Sequence, residues 1–240
     1  MKALSTLRHV GGGLFNALAE LGSARMAPPR DAREAAHRLA GALGAMARAH
    51  ELAVSIRGDV PRGPALIVAN HASYLDPLAI LPVCPALPIT KGEIQDWPVL
   101  GPIGAALGVV FVRDPIRALR RVHALLAAGV PVLDFPGVAS SDTVPPFHRG
   151  TFGIAQRVGV PVVPVAVRYR DPALAWVDAS AVLPHYLRTA GQRRIEVELS
   201  FCAAMSPRAG ELPEDMAARA RNAIVRNLER TSTRSDLSRP

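Results

Sequence analysis

The chain has 240 residues, of which 49% are hydrophobic and 20% are charged, and its mean hydropathy is +0.18. This composition is too apolar for a disordered protein and suffices for one sizeable core or two small ones. Of the 28 basic residues only two are lysines, which leaves 26 arginines, and the net charge of +8 allows nucleic acid, an anionic bilayer or an anionic substrate as a partner.

Neither a membrane-spanning segment nor a signal peptide is predicted. The longest stretch without a charged residue, residues 97–112, has 16 residues and contains three glycines and two prolines, whereas a spanning helix needs about 20 apolar residues. Arg8 and three consecutive glycines interrupt the apolar residues near the start. The two cysteines, Cys84 and Cys202, offer no disulfide framework, which suits a reducing compartment.

Residues 1–52 are predicted to form a helical N-terminal segment. In its second half Asp31 is placed to cap a helix, and Glu34 follows three residues later. Apolar residues recur at helical spacing in both halves, namely Leu4, Leu7, Leu14, Leu18 and Leu21, and then Ala35, Leu39, Leu43 and Met46. A stripe that faces the core is favoured over one that faces a membrane, and both interpretations stay open.

Residues 53–205 are predicted to form an α/β core. Continuous apolar runs are typical of strands covered on both faces of a sheet, and they occur at 65–69, 109–112, 131–133 and 160–167. One intervening helix is predicted over 116–128. Alternating apolar and polar residues predict a half-exposed strand over 195–201.

The remaining residues, 206–240, are predicted to form a C-terminal helix over 214–229 and a frayed tail after Thr231. No internal repeat appears in the sequence. The succession of strands and helices predicts a single-domain α/β fold, with a mostly parallel central sheet flanked by helices and preceded by the N-terminal helical segment.

A histidine and an aspartate follow the first of the predicted strands. His71 comes directly after Asn70, and Asp76 lies five residues further on. Open α/β sheets place ligand sites at the carboxyl ends of their strands, and an aspartate that holds one ring nitrogen leaves the other to take a proton. Asp76 before Pro77 equally fits an ordinary helix N-cap with proline at the first helical position. The pair alone therefore leaves both interpretations open.

Residues 70–76 resemble the His-four-residues-Asp motif of the glycerolipid acyltransferase family, the lysophosphatidic acid acyltransferases and their relatives. Further stretches resemble the family's motifs in the same order and spacing. Residues 90–93 and 97–101 are similar to its Lys-x-Glu and Pro-x-x-Gly stretch, 108–113 to its second block, 135–136 with 146–150 to its third, and 159–167 to its fourth. The resemblance covers about residues 53–170.

The resemblance implies transfer of a fatty acyl group from a thioester, acyl-CoA or acyl carrier protein, to a hydroxyl of a lysolipid. The acceptor would be of the 1-acylglycerol-3-phosphate or lyso-ornithine-lipid type. His71 would act as general base, and Asp76 would orient it and stabilise the imidazolium. No covalent acyl-enzyme is required, and no metal or other cofactor is expected beside the thioester co-substrate.

The resemblance also implies a set of substrate-binding residues. Lys91 and Arg113 match positions that meet the anionic head group or the donor phosphates in the family, and a solvated surface charge is the alternative for both. In many relatives the arginine lies one place later, where this chain has Asp114. The other predicted substrate-binding residues are Asn70, Ser73, Gly137, Ser140 and His148.

The third block departs from the family pattern Phe-Pro-Glu-Gly-Thr, because residues 135–139 read Phe-Pro-Gly-Val-Ala. Either Gly137 replaces the glutamate, or the glutamate is deleted and Gly137 is the family's glycine. Both alignments lack the carboxylate and an arginine that could hold a glycerol phosphate. Asp134 is a doubtful substitute, since three positions earlier on a strand it is expected to point to the opposite face from Gly137.

Three functions follow from this departure. In the first, the acceptor is a lysolipid without a simple phosphate, for which Ser140, Ser141 and His148 offer hydrogen bonds. In the second, the acceptor is lysophosphatidic acid, and other arginines cover the phosphate. In the third, the chain is a lipid-binding member of the fold that has lost most of its activity. Because His71, Asp76 and Lys91 are all present, an active enzyme is favoured. A nucleic-acid partner is not expected, since no recognised module is present and few aromatic residues are available for stacking.

The predicted location is the cytoplasmic face of a membrane, bound peripherally at an anionic surface, because the acceptor must come from a bilayer. The candidates for the interface are apolar residues with flanking cations, namely Leu4, Leu14, Phe15 and Leu18 with Lys2, Arg8 and Arg25.

Overall fold

The computed structural model describes residues 26–98, 100–137, 143–171, 174 and 194–236, together with six positions between 11 and 23, and it describes residues 231–236 by their backbone alone. Within these residues seven strands form one sheet. The strands are β1 (Leu52–Arg57), β2 (Leu66–Ala69), β3 (Leu87–Lys91), β4 (Val110–Val112), β5 (Val132–Asp134), β6 (Val162–Tyr169) and β7 (Ile195–Phe201).

Helices connect and cover these strands. The helices in the described part of the chain are α1 (Ala32–Ala49), α2 (Asp76–Ile80), α3 (Leu100–Ala106), α4 (Pro115–Ala127), α5 (Gly150–Val158) and α6 (Pro213–Asp236), and a short 3₁₀ helix spans Gly92–Asp96. None of them is long and apolar enough to cross a membrane.

The strand order across the sheet is β1-β7-β6-β2-β5-β3-β4. All neighbouring strands run parallel except β6 and β7, which are antiparallel, so the predicted mostly parallel α/β sheet is confirmed. Strands β2 to β6 therefore end at the same edge of the sheet, here called the carboxyl edge. Connections that leave this edge are where open α/β sheets hold their ligands.

Helices cover both faces of the sheet. On one face α1 packs against α2, and on the other α4, α5 and α6 pack side by side. Strand β6 shows the two faces directly, since Tyr169 reaches Asp76 in α2 whereas Ala166 packs against Ile224 in α6. All four residues of β2 are buried, which explains their uninterrupted apolar run.

The apolar patterns predict the positions of strands well where the run of apolar side chains is continuous. The predicted strands at 65–69, 109–112, 131–133 and 160–167 correspond to β2, β4, β5 and β6 within two residues at each end. The helix predicted over 116–128 is α4, and the Asp114 carboxylate accepts hydrogen bonds from the first backbone N–H groups of that helix. Strands β1 and β3 are not predicted; β3 contains Pro88, which argues against a strand in a sequence pattern.

Two N-terminal expectations have different outcomes. The Asp31 carboxylate accepts from the Glu34 N–H at 2.8 Å, and Ala35 and Leu39 are buried in the core, so the cap and the core-facing stripe of α1 are confirmed. The earlier leucines, at positions 4 to 21, lie outside the described residues. At the other end α6 runs from Pro213 to Asp236, beyond Thr231, and residues 237–240 of the tail predicted to fray lie outside the described residues.

Candidate active site

The candidate site is the corner that joins β2 to α2 at the carboxyl edge. Strand β2 ends at Ala69, and α2 begins at Asp76 with Pro77 in its first turn. The N-cap of α2 is Leu75, which makes no side-chain capping bond, so the interpretation of Asp76 as an ordinary N-cap is wrong. The Asp76 carboxylate instead turns back into the corner and accepts from the N–H groups of Ala72 and Ser73 at 2.8 and 2.9 Å.

His71 and Asp76 are in direct contact. The distance between Nδ1 of His71 and Oδ2 of Asp76 is 2.8 Å, and the Asp76 side chain is 0% exposed whereas that of His71 is 24% exposed. A carboxylate only accepts hydrogen bonds, so Nδ1 carries the proton and Nε2 is the nitrogen that can take another. The ring also stacks on Phe135 from the end of β5, with 4.4 Å between centroids, which fixes its plane.

Asn70 ties this corner to the neighbouring strand. Its side-chain N–H donates to the carbonyl of Val167 at 3.0 Å, and its side-chain oxygen accepts from the N–H of Val167 at 2.8 Å. The amide therefore extends the pairing of β2 with β6 by one step beyond Ala69. Asn70 is buried with both polar groups committed to the backbone, so this contact places His71.

Ser73 and Tyr169 complete a buried network behind His71. The hydroxyl of Tyr169 donates to Oδ1 of Asp76 at 2.8 Å, and both side chains are buried. Burial and the nearby charge of Asp76 raise the pKa of Tyr169 well above its ordinary value, whereas a hydrogen bond from the Ser73 hydroxyl acts the other way. The phenol consequently stays a donor. Sequence reasoning missed Tyr169 because only the β2–β6 register brings it to Asp76.

Lys91 and Arg113 lie together at the same edge, further along the sheet. Lys91 ends β3 opposite Val112 of β4, and Arg113 follows directly. Lys91 is exposed. Arg113 is 54% exposed, donates through Nε to Gln95 at 3.0 Å and forms an ion pair with Asp96. Exposed ion pairs are worth little, so an anionic ligand can compete for Arg113.

The third block has no room for a side chain at its glycine. A Cβ placed on Gly137 would lie 2.9 Å from Cγ of Pro145, and the Phe147 ring is 3.5 Å away. The following segment is held close because the N–H of His148 donates to the carbonyl of Pro136 at 2.8 Å. The His148 side chain is exposed, and Ser140 lies outside the described residues. Packing by Pro145 and Phe147 thus fills the space that a side chain at position 137 would need.

Asp134 is a second buried acid next to this block. Its Oδ2 accepts from Oγ1 of Thr151, in the first turn of α5, at 2.6 Å. Burial raises the pKa of Asp134 to about 6, and the Thr151 hydrogen bond, the charge of His148 and the Phe135 N–H partly offset that effect. The carboxylate is held against α5, which makes it part of the β5–α5 junction.

The fold and the corner together define the class: an α/β protein with a partly exposed histidine held by a buried aspartate where β2 ends. Residues 51–168 match the family model described as Acyltransferase. The chain belongs to this acyltransferase family. Those of the predicted site residues that the structure describes lie at one edge of the sheet. Their roles stay predictions.

Curated relatives fall into two groups by name. The 1-acyl-sn-glycerol-3-phosphate acyltransferase of Neisseria gonorrhoeae is 36% identical over 140 residues, which are 55% of this chain and 53% of that protein. The lyso-ornithine lipid O-acyltransferase of Pseudomonas aeruginosa is 28% identical over 182 residues, which are 71% of this chain and 70% of that protein. The chain thus spans about half the length of the first relative and more of the second.

A solved structure has the same fold over nearly the whole chain. The crystal structure of the 1-acyl-sn-glycerophosphate (LPA) acyltransferase PlsC from Thermotoga maritima superposes with a TM-score of 0.72 and covers 97% of this chain and 98% of that one. The two sequences are 23% identical, and the likeness establishes the fold.

Proposed function

We propose that the protein is an O-acyltransferase that moves a fatty acyl group from a thioester to a hydroxyl of a lysolipid. The observation that carries the proposal is the 2.8 Å contact between His71 and a fully buried Asp76 at the carboxyl edge, in a chain of the acyltransferase family. The names of the relatives supply the substrate class, a lysolipid acceptor and an acyl donor.

In the proposed mechanism His71 carries one proton through two steps. Nε2 removes the proton of the acceptor hydroxyl as its oxygen attacks the thioester carbonyl carbon, and the imidazolium then returns the proton to the departing thiolate. Asp76 stabilises the positive charge between the two steps. General base catalysis of this type typically contributes about 100- to 10,000-fold. The donor is acyl-CoA or acyl carrier protein as co-substrate, and no metal ion or other cofactor is proposed.

The proposed head-group site is the pair of cations at the ends of β3 and β4. An ammonium and a guanidinium suit a phosphate or a carboxylate, so Lys91 and Arg113 can meet 1-acylglycerol-3-phosphate through its phosphate or lyso-ornithine lipid through its carboxylate. His148, exposed beside the third block, is proposed to donate a hydrogen bond to the same acceptor.

A panel of acceptors tests the proposal. Thiol release from acyl-CoA and from acyl carrier protein is measured with 1-acylglycerol-3-phosphate, with lyso-ornithine lipid and with a neutral monoacylglycerol. We expect turnover with at least one of the two anionic acceptors and little with the neutral one, and the better acceptor identifies the head group. Turnover with none of them, from either donor, would overturn the proposal.

A lipid-binding protein with impaired activity is the second candidate, and the crowding at Gly137 is the observation that favours it. Its signature is saturable binding of a lysolipid, followed by tryptophan fluorescence, without thiol release. His71→Ala would leave that binding unchanged. Turnover that depends on His71 would exclude it.

The proposed location is the cytoplasmic face of a membrane, peripherally bound. The described part of the N-terminal segment has exposed apolar side chains, with Phe15 73% and Met26 90% exposed. Sedimentation with anionic vesicles compares the full chain with Phe15→Ser/Met26→Ser. We expect weaker binding of the variant; equal binding would place the membrane contact elsewhere.

A further inference from the structure

Asp76 is surrounded by four hydrogen-bond donors, and they divide unequally between its two oxygens. Oδ2 accepts from Nδ1 of His71 and from the N–H groups of Ala72 and Ser73. Oδ1 accepts from the hydroxyl of Tyr169. The three Oδ2 donors all belong to the corner itself, whereas Tyr169 comes from β6, 93 residues later.

We propose that Tyr169 is a positioning residue for catalysis, which acts through Asp76 to fix the orientation and the charge of the carboxylate that holds His71. This inference rests on the proposed acyl transfer. The hydroxyl of Tyr169 and the ring of His71 bind the two oxygens of the same carboxylate, so the effect of Tyr169 on the base passes through Asp76.

The geometry gives Tyr169 control over the plane of the carboxylate. Because donors hold its two oxygens from two directions, the Asp76 carboxylate cannot rotate. Its Oδ2 therefore stays aligned with Nδ1 of His71 at 2.8 Å. The donor is rigid, because Tyr169 is buried in a strand paired on both sides, with β2 and with β7. Hydrogen bonds to a charged group in a buried site are among the stronger ones.

The hydroxyl also limits the negative charge that His71 experiences. A donor on Oδ1 draws charge away from Oδ2, which weakens the hold of the carboxylate on the imidazolium and so keeps the imidazole available as a base. The titratable groups around the carboxylate are His71 from the corner and Tyr169 from β6, with Tyr74 near Tyr169. The phenol remains neutral, so it donates throughout the working pH range.

Tyr169→Phe removes the hydroxyl and keeps the ring, which makes it the direct test. We expect kcat to fall about tenfold, the size expected for a lost hydrogen bond to a charged group, while KM for both substrates stays within about twofold. In an Asp76→Asn background the same change should have almost no further effect. An unchanged kcat, or equal losses in the two backgrounds, would overturn the proposal.

Thr151→Val is the matched control. It removes a hydroxyl that donates to the other buried carboxylate, that of Asp134, on the opposite side of the sheet. We expect a similar loss of thermal stability in the two variants and an unchanged kcat in the control. A kcat loss of equal size in both would mean that general loosening, and not Asp76, is responsible. If Tyr169→Phe does not fold, Ser73→Ala is the second variant, because it removes the hydrogen bond that holds the Tyr169 hydroxyl from its other side. We expect this change to lower kcat about two- to threefold. An unchanged kcat there would overturn the proposal.

Nuclear magnetic resonance separates this inference from the proposed reaction. The ring titration of His71 is followed with ¹⁵N-labelled histidine and assigned by comparison with His71→Gln. In Tyr169→Phe we expect its midpoint to move to higher pH, because the carboxylate then holds the imidazolium more strongly. An unmoved midpoint contradicts the positioning role even if kcat falls. A moved midpoint in a protein without turnover sustains the positioning role and rejects the acyl transfer.

Discussion

At the scale of single residues, the two buried acids of the carboxyl edge are built differently. Among the described residues Asp76 has four donors, whereas Asp134 has one side-chain donor, Thr151, and burial raises the pKa of Asp134 to about 6. A carboxyl group whose pKa is raised in the folded state holds its proton more tightly there than in the unfolded chain. Asp134 therefore favours folding most at low pH, and that stabilisation is lost as the pH rises through 6.

Asp134→Asn should remove this pH dependence. With a folded pKa of about 6 and an ordinary value of 3.8, the carboxyl destabilises the wild type by roughly 1 to 2 kcal/mol more at pH 8 than at pH 5. The free energy of unfolding of the variant, relative to wild type, should rise by that amount between the two pH values in urea denaturation. The exposed Asp59, changed to Asn, is the control for the loss of a surface carboxylate. A variant that loses stability relative to wild type as the pH rises would contradict the assignment.

Lys91 is the residue on which the head-group proposal depends. Lys91→Ala should raise KM for the acceptor about tenfold with little change in kcat, because it removes a charged contact made equally in the ground and transition states. Arg157→Ala is the matched control, since Arg157 is an exposed cation in the last turn of α5, away from the carboxyl edge. A KM that is unchanged in Lys91→Ala, or raised equally in the control, would leave Lys91 a solvated surface charge.

At the scale of elements, the third block is a packed segment and not merely a degenerate motif. Pro145 and Phe147 lie against Gly137, and Arg221 of α6 donates to the carbonyls of Val144 and Pro145. The segment that contains Val144, Pro145 and Phe147 thus contacts α6 as well as the end of β5. Restoring the family's carboxylate requires moving this segment, which a single substitution does not do.

Gly137→Glu should therefore destabilise the protein without creating activity toward 1-acylglycerol-3-phosphate. Overpacking of this kind costs about 1 to 3 kcal/mol, which thermal denaturation detects readily. Gly63→Glu is the control, because a Cβ on Gly63 meets nothing within 4 Å. Adding Pro145→Ala should recover part of the lost stability. A Gly137→Glu variant that is as stable as wild type and turns over the phosphate acceptor faster would show that the missing carboxylate is the lesion.

Elements with a regular apolar pattern, continuous or periodic, could be predicted from sequence, and those without one could not. The apolar runs of β2 and β6 identify two central strands, because covered strands are apolar on both sides. Strand β3 escapes prediction because Pro88 and Lys91 obscure it, although its neighbours on both sides are strands. A sequence pattern describes one element at a time, whereas a sheet is formed by hydrogen bonds between pairs of strands.

At the scale of the whole molecule, the same limit explains which residues of the candidate site could be predicted from the sequence. His71, Asp76, Lys91 and Arg113 are recognisable because the family motifs lie in sequence order, and the parallel sheet brings their strand ends to one edge. Tyr169 belongs to the site only because β6 pairs with β2 in a register that places Val167 beside Asn70. That register depends on the packing of both sheet faces and is not encoded in the residues near position 71.

The large arginine excess is largely separate from the site. In the described part of the chain, many arginines form exposed ion pairs with nearby acids, as Arg57 does with Glu198 and Arg170 with Glu196. Such pairs contribute little stability individually.

The most direct test of the account is the dependence of acyl transfer on His71. Thiol release from acyl-CoA or acyl carrier protein is followed at neutral pH with and without the preferred lysolipid, in wild type and in His71→Ala. We predict release in wild type only when the lysolipid is present, and a fall in kcat of at least about 100-fold in the variant with its fold and lipid binding intact. Equal lysolipid-dependent release by wild type and His71→Ala would contradict the role of His71 as the base.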